Sequence, residues 1–321
     1  MSWYQGFEAF VREEVPLGPM TTYRVGGPAE FFALPPDGEA LGALLRRAHA
    51  AGVSVRLLGH GTNLLVSDAG VRGLVIRLPK RGFANLACAG WSVHVGAGHS
   101  LPALVKWSVN RGYSGLECLQ GVPGTVGAAL RMNAGGKYGE IGTRVRRVHG
   151  FENDGTPFSF DARRCGFVYR DSALGSRIVM DCDLELESGD RLKGERRLTE
   201  ILTEKCSSQP VDARSAGCVF KNPTKANLRR EESFWPAEPL RDPPPAGMLI
   251  DQLGLKGIRF GGATISMKHA NFLTCESGAR AGDLAELIRL IRRRAWRERG
   301  VKLELEVEAW GFEMNELDAV G

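Results

Sequence analysis

At 321 residues, 43% of them hydrophobic and 25% charged, the chain is long enough for two or three domains with buried cores and too mixed for a disordered or fibrous protein. No apolar run approaches the ~20 residues that span a bilayer, and Met1 to Gln5 lacks the basic start and apolar block of a secretion signal. A net charge of +5 suits anionic small ligands, and neither a nucleic-acid nor a membrane partner is expected.

In chain order, Leu41, Leu44, Leu45 and Ala48 recur at helical spacing, predicting a helix over Glu39 to Ala51 that Gly52 ends. Short strands are predicted at Val53 to Leu58, Leu64 to Val66, Val71 to Leu78 and Trp91 to Val95. A helix follows at Leu101 to Val109, then a glycine-rich block from Gly121 to Gly139, then sheet at Val145 to Phe151 and Ile178 to Leu186. The pattern changes near Leu192. Leu198 to Lys205 reads as helix, and Thr224 to Ala246 as a polar, proline-rich surface insertion. Gly282 to Arg299 is the clearest helix, with Leu284, Leu287, Ile288, Ile291 and Ala295 in one stripe and a solvated arginine face opposite. Lys302 to Glu308 alternates strictly and predicts a last strand, with Glu304, Glu306 and Glu308 sharing one face. The mixture is α+β.

Seven cysteines without a Cys-x-x-Cys pair point to free thiols in a reducing, cytoplasmic setting, with no metal site. One of them, Cys218, follows a glycine and precedes Val219-Phe220-Lys221-Asn222-Pro223. A thiol there can act as nucleophile, ligand or proton donor, and a lone cysteine beside a turn can equally just pack.

Two glycine-rich stretches carry further chemistry. The first is Leu58-Gly59-His60-Gly61-Thr62-Asn63-Leu64; the second runs through Gly121, Pro123, Gly124, Thr125 and Gly127 to Asn133 and Gly135. Successive N–H groups in such turns form anion sites, and glycine removes the Cβ that would block a phosphate. Neither has the Lys-Ser/Thr ending of a Walker loop or the setting of a Rossmann fingerprint. Together they suggest a cofactor bearing a pyrophosphate.

Seven strings occur in order: Thr22-Tyr23-Arg24-Val25-Gly26-Gly27-Pro28-Ala29, Gly59 to Leu65, Gly121 to Gly127, Tyr169-Arg170-Asp171-Ser172, Ala216 to Pro223, Ser266 to Phe272, and Leu303 to Val307. On these the chain resembles the UDP-N-acetylenolpyruvoylglucosamine reductase family from about Thr22 to Glu308. The resemblance implies a two-part FAD-binding region of the PCMH/vanillyl-alcohol-oxidase type, over 1–80 and 81–191, and an α+β substrate-binding domain over 192–321. It implies that NADPH reduces FAD, and that hydride then reaches C3 of the enolpyruvyl group while a protein acid protonates C2. The reaction belongs to peptidoglycan precursor synthesis, and a monomer is expected.

By the same resemblance Arg170 is the cation at the substrate carboxylate, a role its bidentate fork suits. Glu306 is the family's glutamate, although periodicity alone leaves Glu304, Glu306 and Glu308 equivalent. Cys218 stands where the family has its proton-donating serine. A thiol with an ordinary pKa near ~8.5 is a far stronger acid than a hydroxyl, so the role survives the exchange and gains sensitivity to oxidation. Tyr169, Lys221, Asn222, Lys268, His269 and Asn271 are candidates to meet the UDP-sugar. No tyrosine follows Tyr169, so the chain resembles the branch without a tyrosine substrate loop.

Two other readings stay open from sequence: an FAD oxidase of the same architecture with its flavin tethered to His60, and a nucleotide-binding protein without catalysis. The Cys218 and Glu306 motifs argue against the first, and the presence of Arg170 and Glu306 argues against the second.

Overall fold

The computed structural model describes residues 2–228, 243–313 and 316–318. The chain divides into two compact units that interleave in sequence: Met1–Val15 with Ala29–His60 and Arg72–Lys205, and Pro16–Pro28 with Gly61–Val71 and Cys206–Gly321.

In the first unit a four-stranded sheet runs in the order Val11–Pro16, Pro28–Ala33, Val71–Ile76, Val55–Leu57. The helix Gly38–Ala50 begins at Asp37, whose carboxylate accepts the Ala40 N–H at 2.9 Å. Its predicted stripe is the buried one: Leu41, Leu44, Leu45 and Ala48 pack with Val11, Ala33, Leu74 and Ile76.

A second, antiparallel sheet of five strands has the order Pro157–Asp161, Val145–Phe151, Ile178–Glu185, Ser92–Gly96, Leu86–Ala89. Val93, Val95, Val148, Cys182 and Leu184 form its core with Leu101, Leu104 and Val105 of the helix Leu101–Asn110 and Val126, Ala129 and Leu130 of the helix Val126–Arg131. Gly127 permits this close approach, since a Cβ there would lie 2.8 Å from the Ala97 methyl. The second glycine stretch follows a 3-10 turn at Glu117–Leu119 and leads into this helix.

In the second unit the helices Ala246–Gln252 and Ala281–Arg299 share a core with the three-stranded sheet Arg259–Phe260, Ala263–Ile265, Leu273–Cys275. The long helix starts on a distant carboxylate: Asp68 Oδ1 accepts the Ala281 N–H and Oδ2 the Gly282 N–H, each at 3.0 Å. It ends at Gly300, whose φ of 60° is the left-handed conformation glycine tolerates.

The last predicted strand is shorter than its alternation suggested. A regular ladder begins only at Glu308, where Glu308–Trp310 pairs in parallel with Leu64–Val66. From Lys302 to Val307 the burial alternates as far as Glu304, whereas Leu305 and Glu306 are both half-buried; the chain makes only isolated bridges, because its partner is the irregular segment around Phe220. Most of the predicted insertion, residues 229–242, lies outside the described residues; at its flanks are a 3-10 turn at Lys225–Asn227 and the start of the helix at Ala246. Among the described residues no helix is long and apolar enough to cross a membrane.

Candidate active site

In the second unit the Cys218 segment lies between two other stretches of chain. Gly217, at φ 80°, turns the backbone into Cys218, which bridges Phe272 in antiparallel fashion. The Val219 N–H donates to the Asn271 carbonyl at 2.8 Å, and the Val219 carbonyl accepts the Glu306 N–H at 2.8 Å. One register further, the Lys221 N–H donates to the Glu304 carbonyl at 2.9 Å. Val219 and Phe220 are buried, while Cys218 and Glu306 are half-buried. The fold thus brings Cys218 and Glu306 onto neighbouring, directly bonded segments.

The Asn271 amide closes on a single residue, with Oδ1 accepting the Phe220 N–H at 2.9 Å and Nδ2 donating to the Phe220 carbonyl at 2.8 Å. Its own N–H donates to His269 Nδ1 at 3.2 Å, which assigns the imidazole proton to Nε2. Burial, and then the charge of Lys256, hold the His269 pKa below its ordinary value, so the ring is neutral at pH 7. Asn222 Oδ1 accepts the Ala246 N–H at 3.0 Å and anchors the next helix. Lys221 is half-buried, and the exposed Lys268 donates from Nζ to the Cys206 carbonyl.

Sequence reasoning did not single out Tyr23. It is fully buried in the same core as Ala216, Val219 and Phe220. Burial pushes its phenol far up, with Cys275, Ser215 and the Ala216 backbone among its neighbours. A tyrosine inside an otherwise polar, glycine-rich string was the available signal.

In the first unit Tyr169 and Arg170 form the tip of a tight turn in which Val168 and Asp171 exchange N–H···O bonds of 3.0 and 3.2 Å. Arg170 has φ 56°, an uncommon conformation for a non-glycine residue and one that clusters at functional sites. Two bonds hold the turn: Asn133 Nδ2 to the Val168 carbonyl at 2.9 Å, and Ser172 Oγ to the Arg131 carbonyl at 2.6 Å. Asn133 is itself buried, and it also donates to Glu140 at 2.6 Å and accepts from the Gly142 N–H at 3.0 Å. The Arg170 guanidinium lies 5.2 Å from the centre of the Tyr169 ring.

The two glycine stretches meet in this unit. A Cβ on Gly59 would sit 3.0 Å from Thr125 Oγ1 and 3.4 Å from the Ala128 methyl. Thr125 caps the helix that follows by accepting the Ala128 N–H at 3.3 Å. Leu58 ties the first loop to the sheet, its N–H donating to the Ile76 carbonyl at 2.7 Å, and among the described residues the N–H groups of Gly59 and His60 have no protein acceptor. Burial, then Arg77 and Lys80, hold the pKa of half-buried His60 below its usual value. In the second stretch Gly124 is buried with φ 121°, and its carbonyl accepts the Leu101 N–H at 3.0 Å; Pro123 is exposed. Lys205 packs on Gly121 and donates to the Gln120 carbonyl at 2.5 Å. Gly135 pairs with Glu140 in a two-residue ladder. Small residues at the meeting point and loop N–H donors suit a pyrophosphate, so these residues fit FAD.

In the second unit Gly61, at φ 64°, offers its carbonyl to both Thr22 N at 3.1 Å and Thr22 Oγ1 at 3.3 Å. Thr62 is half-buried, and Leu64 opens the ladder to Glu308. Among the described residues no group of His, Cys, Asp and Glu could hold a metal ion.

Residues 29–161 match the FAD binding domain family, which makes the chain an FAD-binding flavoprotein of α+β fold. Residues 209–310 match the C-terminal domain of UDP-N-acetylenolpyruvoylglucosamine reductase. The chain is 39% identical over 303 residues to UDP-N-acetylenolpyruvoylglucosamine reductase 2 of Symbiobacterium thermophilum, covering 94% of this chain and 92% of that one. It is 36% identical to the reductase of Carboxydothermus hydrogenoformans, covering 94% of each. The crystal structure of the Thermus caldophilus reductase superposes with a TM-score of 0.76 at 38% identity, over 94% of this chain and 100% of that one. The chain belongs to the UDP-N-acetylenolpyruvoylglucosamine reductase family.

Proposed function

We propose that this protein uses NADPH to reduce UDP-N-acetylglucosamine enolpyruvate to UDP-N-acetylmuramate, a cytoplasmic step in peptidoglycan precursor synthesis, and that it works as a monomer. Bound FAD would take hydride from NADPH and pass it to C3 of the enolpyruvyl group. Residues of both glycine stretches, Leu58 to Leu64 and Gly121 to Gly135, would hold the cofactor.

Hydride addition at C3 leaves negative charge that spreads from C2 into the carboxylate. Arg170 stabilises that charge with a guanidinium whose planar fork matches a carboxylate bidentately. Cys218 gives its Sγ proton to C2, and Glu306 completes the charge arrangement around the proton transfer. Tyr169, Lys221, Asn222, Lys268 and His269 bind the sugar nucleotide; His269 offers its Nε2–H as a donor.

The observation that carries this reading is the bond between the Glu306 N–H and the Val219 carbonyl at 2.8 Å, which joins the acid's segment to the glutamate's. The test is rapid mixing in two stages. NADPH should bleach the bound flavin, and the enolpyruvyl sugar nucleotide, added anaerobically, should restore its colour. Acid should release the flavin. A reduced flavin that oxygen reoxidises while the enolpyruvyl substrate does not would overturn the reading.

A further inference from the structure

We infer that Asn271 is a positioning residue for the Cys218 thiol rather than a substrate ligand; this rests on the proposed role of Cys218 as proton donor. Asn271 is only 3% exposed, and both ends of its amide are engaged by Phe220, two residues beyond the thiol. An amide bonded to both the N–H and the C=O of one residue imitates a neighbouring β-strand. Here it continues the pairing that Cys218 makes with Phe272 and that Val219 makes with the Asn271 carbonyl. Three successive residues of the donor segment are thereby fixed from the 271–272 chain.

Such anchoring is what a proton donor requires. The segment has no regular ladder, and it enters from Gly217, whose φ is 80° and around which a side-chain methyl would meet no atom within 4 Å. Without an anchor the Cys218 backbone would be free to rotate about that glycine, and proton transfer falls steeply once donor and acceptor leave hydrogen-bond reach. A buried side chain with its donor and acceptor bonded inside the protein also has little capacity left for a ligand. The bond from Asn271 to His269 Nδ1 uses the backbone N–H, not the amide side chain. Side-chain substitution therefore removes the anchor at Phe220 and loosens the segment two residues beyond Cys218, while leaving the backbone bonds of Cys218 and Val219 and the His269 bond in place.

Asn271→Asp is the discriminating variant. A protonated carboxyl has one O–H donor and one acceptor, as this amide uses, whereas the carboxylate repels the Phe220 carbonyl. Two readouts on the FAD-loaded protein apply: alkylation of Cys218 by iodoacetamide, followed by peptide mass spectrometry, and flavin reoxidation by the enolpyruvyl substrate. Cys218, Lys221, Lys268, His269, Lys302, Glu304, Glu306 and Glu308 on the paired segments, and Tyr23 and Cys275 in the core beneath, are common to variant and wild type, so the difference between their pH profiles belongs to residue 271. The inference predicts that Asn271→Asp alkylates faster than wild type and reoxidises ~10-fold more slowly at high pH, with both differences shrinking as pH falls. Asn271→Ala should show the same defects at every pH, and Asn271→Ala with Cys218→Ala should reoxidise no more slowly than Cys218→Ala alone. Wild-type alkylation and reoxidation in both Asn271 variants would overturn the inference. If Cys218→Ala itself reoxidises normally, the proton-donor reading fails, while the alkylation arm still decides whether Asn271 holds the segment.

Discussion

The side-chain amide of Asn63 donates to the main-chain carbonyl of Glu306 at 2.9 Å, joining residues 243 positions apart. The Asn63 carbonyl in turn accepts the Glu308 N–H at 3.0 Å, and the ladder of Leu64–Val66 with Glu308–Trp310 follows directly. Asn63 thus ends the first glycine stretch and begins the support of the glutamate's segment. Asn63→Ala would leave the Glu306 carbonyl without this donor. The expected result is a loss of ~1–3 kcal/mol in urea unfolding, together with slower flavin reoxidation by substrate. Unchanged stability would mean that water replaces the amide without cost.

Asp68 plays a comparable part for the helix Ala281–Arg299, with both carboxylate oxygens accepting first-turn N–H groups. Asp68→Ala should destabilise by ~1–2 kcal/mol, and Asp68→Asn should recover part of that by keeping one acceptor. Thermal melts of the two variants at one pH would decide it; equal melting temperatures for wild type and Asp68→Ala would remove the cap from the account.

Arg170→Lys should keep flavin reduction by NADPH and slow the second half-reaction, because lysine retains charge but loses the fork. The left-handed backbone of Arg170 is set by the turn and its Asn133 and Ser172 anchors, so the new side chain starts from the same place. Wild-type rates in both half-reactions would make Arg170 peripheral.

The neutral state of His269 carries a pH signature. Its folded pKa lies below the ordinary 6.5 because of burial, so the unfolded chain binds more protons between the two values. The stability it contributes is complete above pH 6.5 and declines as pH falls through the folded pKa. His60, lowered for the same first reason, acts with the same sign. Melting temperatures measured from about pH 7.5 down to about pH 5 should fall more steeply in wild type than in His269→Gln. Parallel curves would contradict the burial argument.

Much of this was legible in the sequence wherever the pattern was local. The stripe of Leu284, Leu287, Ile288 and Ile291 named the long helix, and those residues are its buried face. The alternation of 303 to 307 forecast the burial of Leu303 and Val307 and the exposure of Glu304, but Leu305 and Glu306 are both half-buried, and no ladder forms, because pairing depends on a partner far away in sequence. Asparagines illustrate the same boundary. Asn133 and Asn271 stand in glycine-rich or polar loops where ligand contact is a natural expectation, yet both amides hold backbone of the protein itself. Irregular segments leave N–H and C=O groups that no ladder satisfies, and a buried amide is the simplest group that supplies both partners. Nothing within a few residues of either asparagine reveals which distant carbonyl it will meet.

Cys218, the proposed proton donor, is the residue on which a single measurement bears most directly. Cys218→Ala, loaded with FAD and mixed anaerobically with NADPH, should reduce its flavin at the wild-type rate. On addition of the enolpyruvyl sugar nucleotide, reoxidation should then be ~10²–10⁴-fold slower than wild type, the usual worth of a positioned acid, and Cys218→Ser should recover much of the loss. Reoxidation of Cys218→Ala at the wild-type rate would contradict the account: the proton would come from elsewhere, and Cys218 would only pack the site.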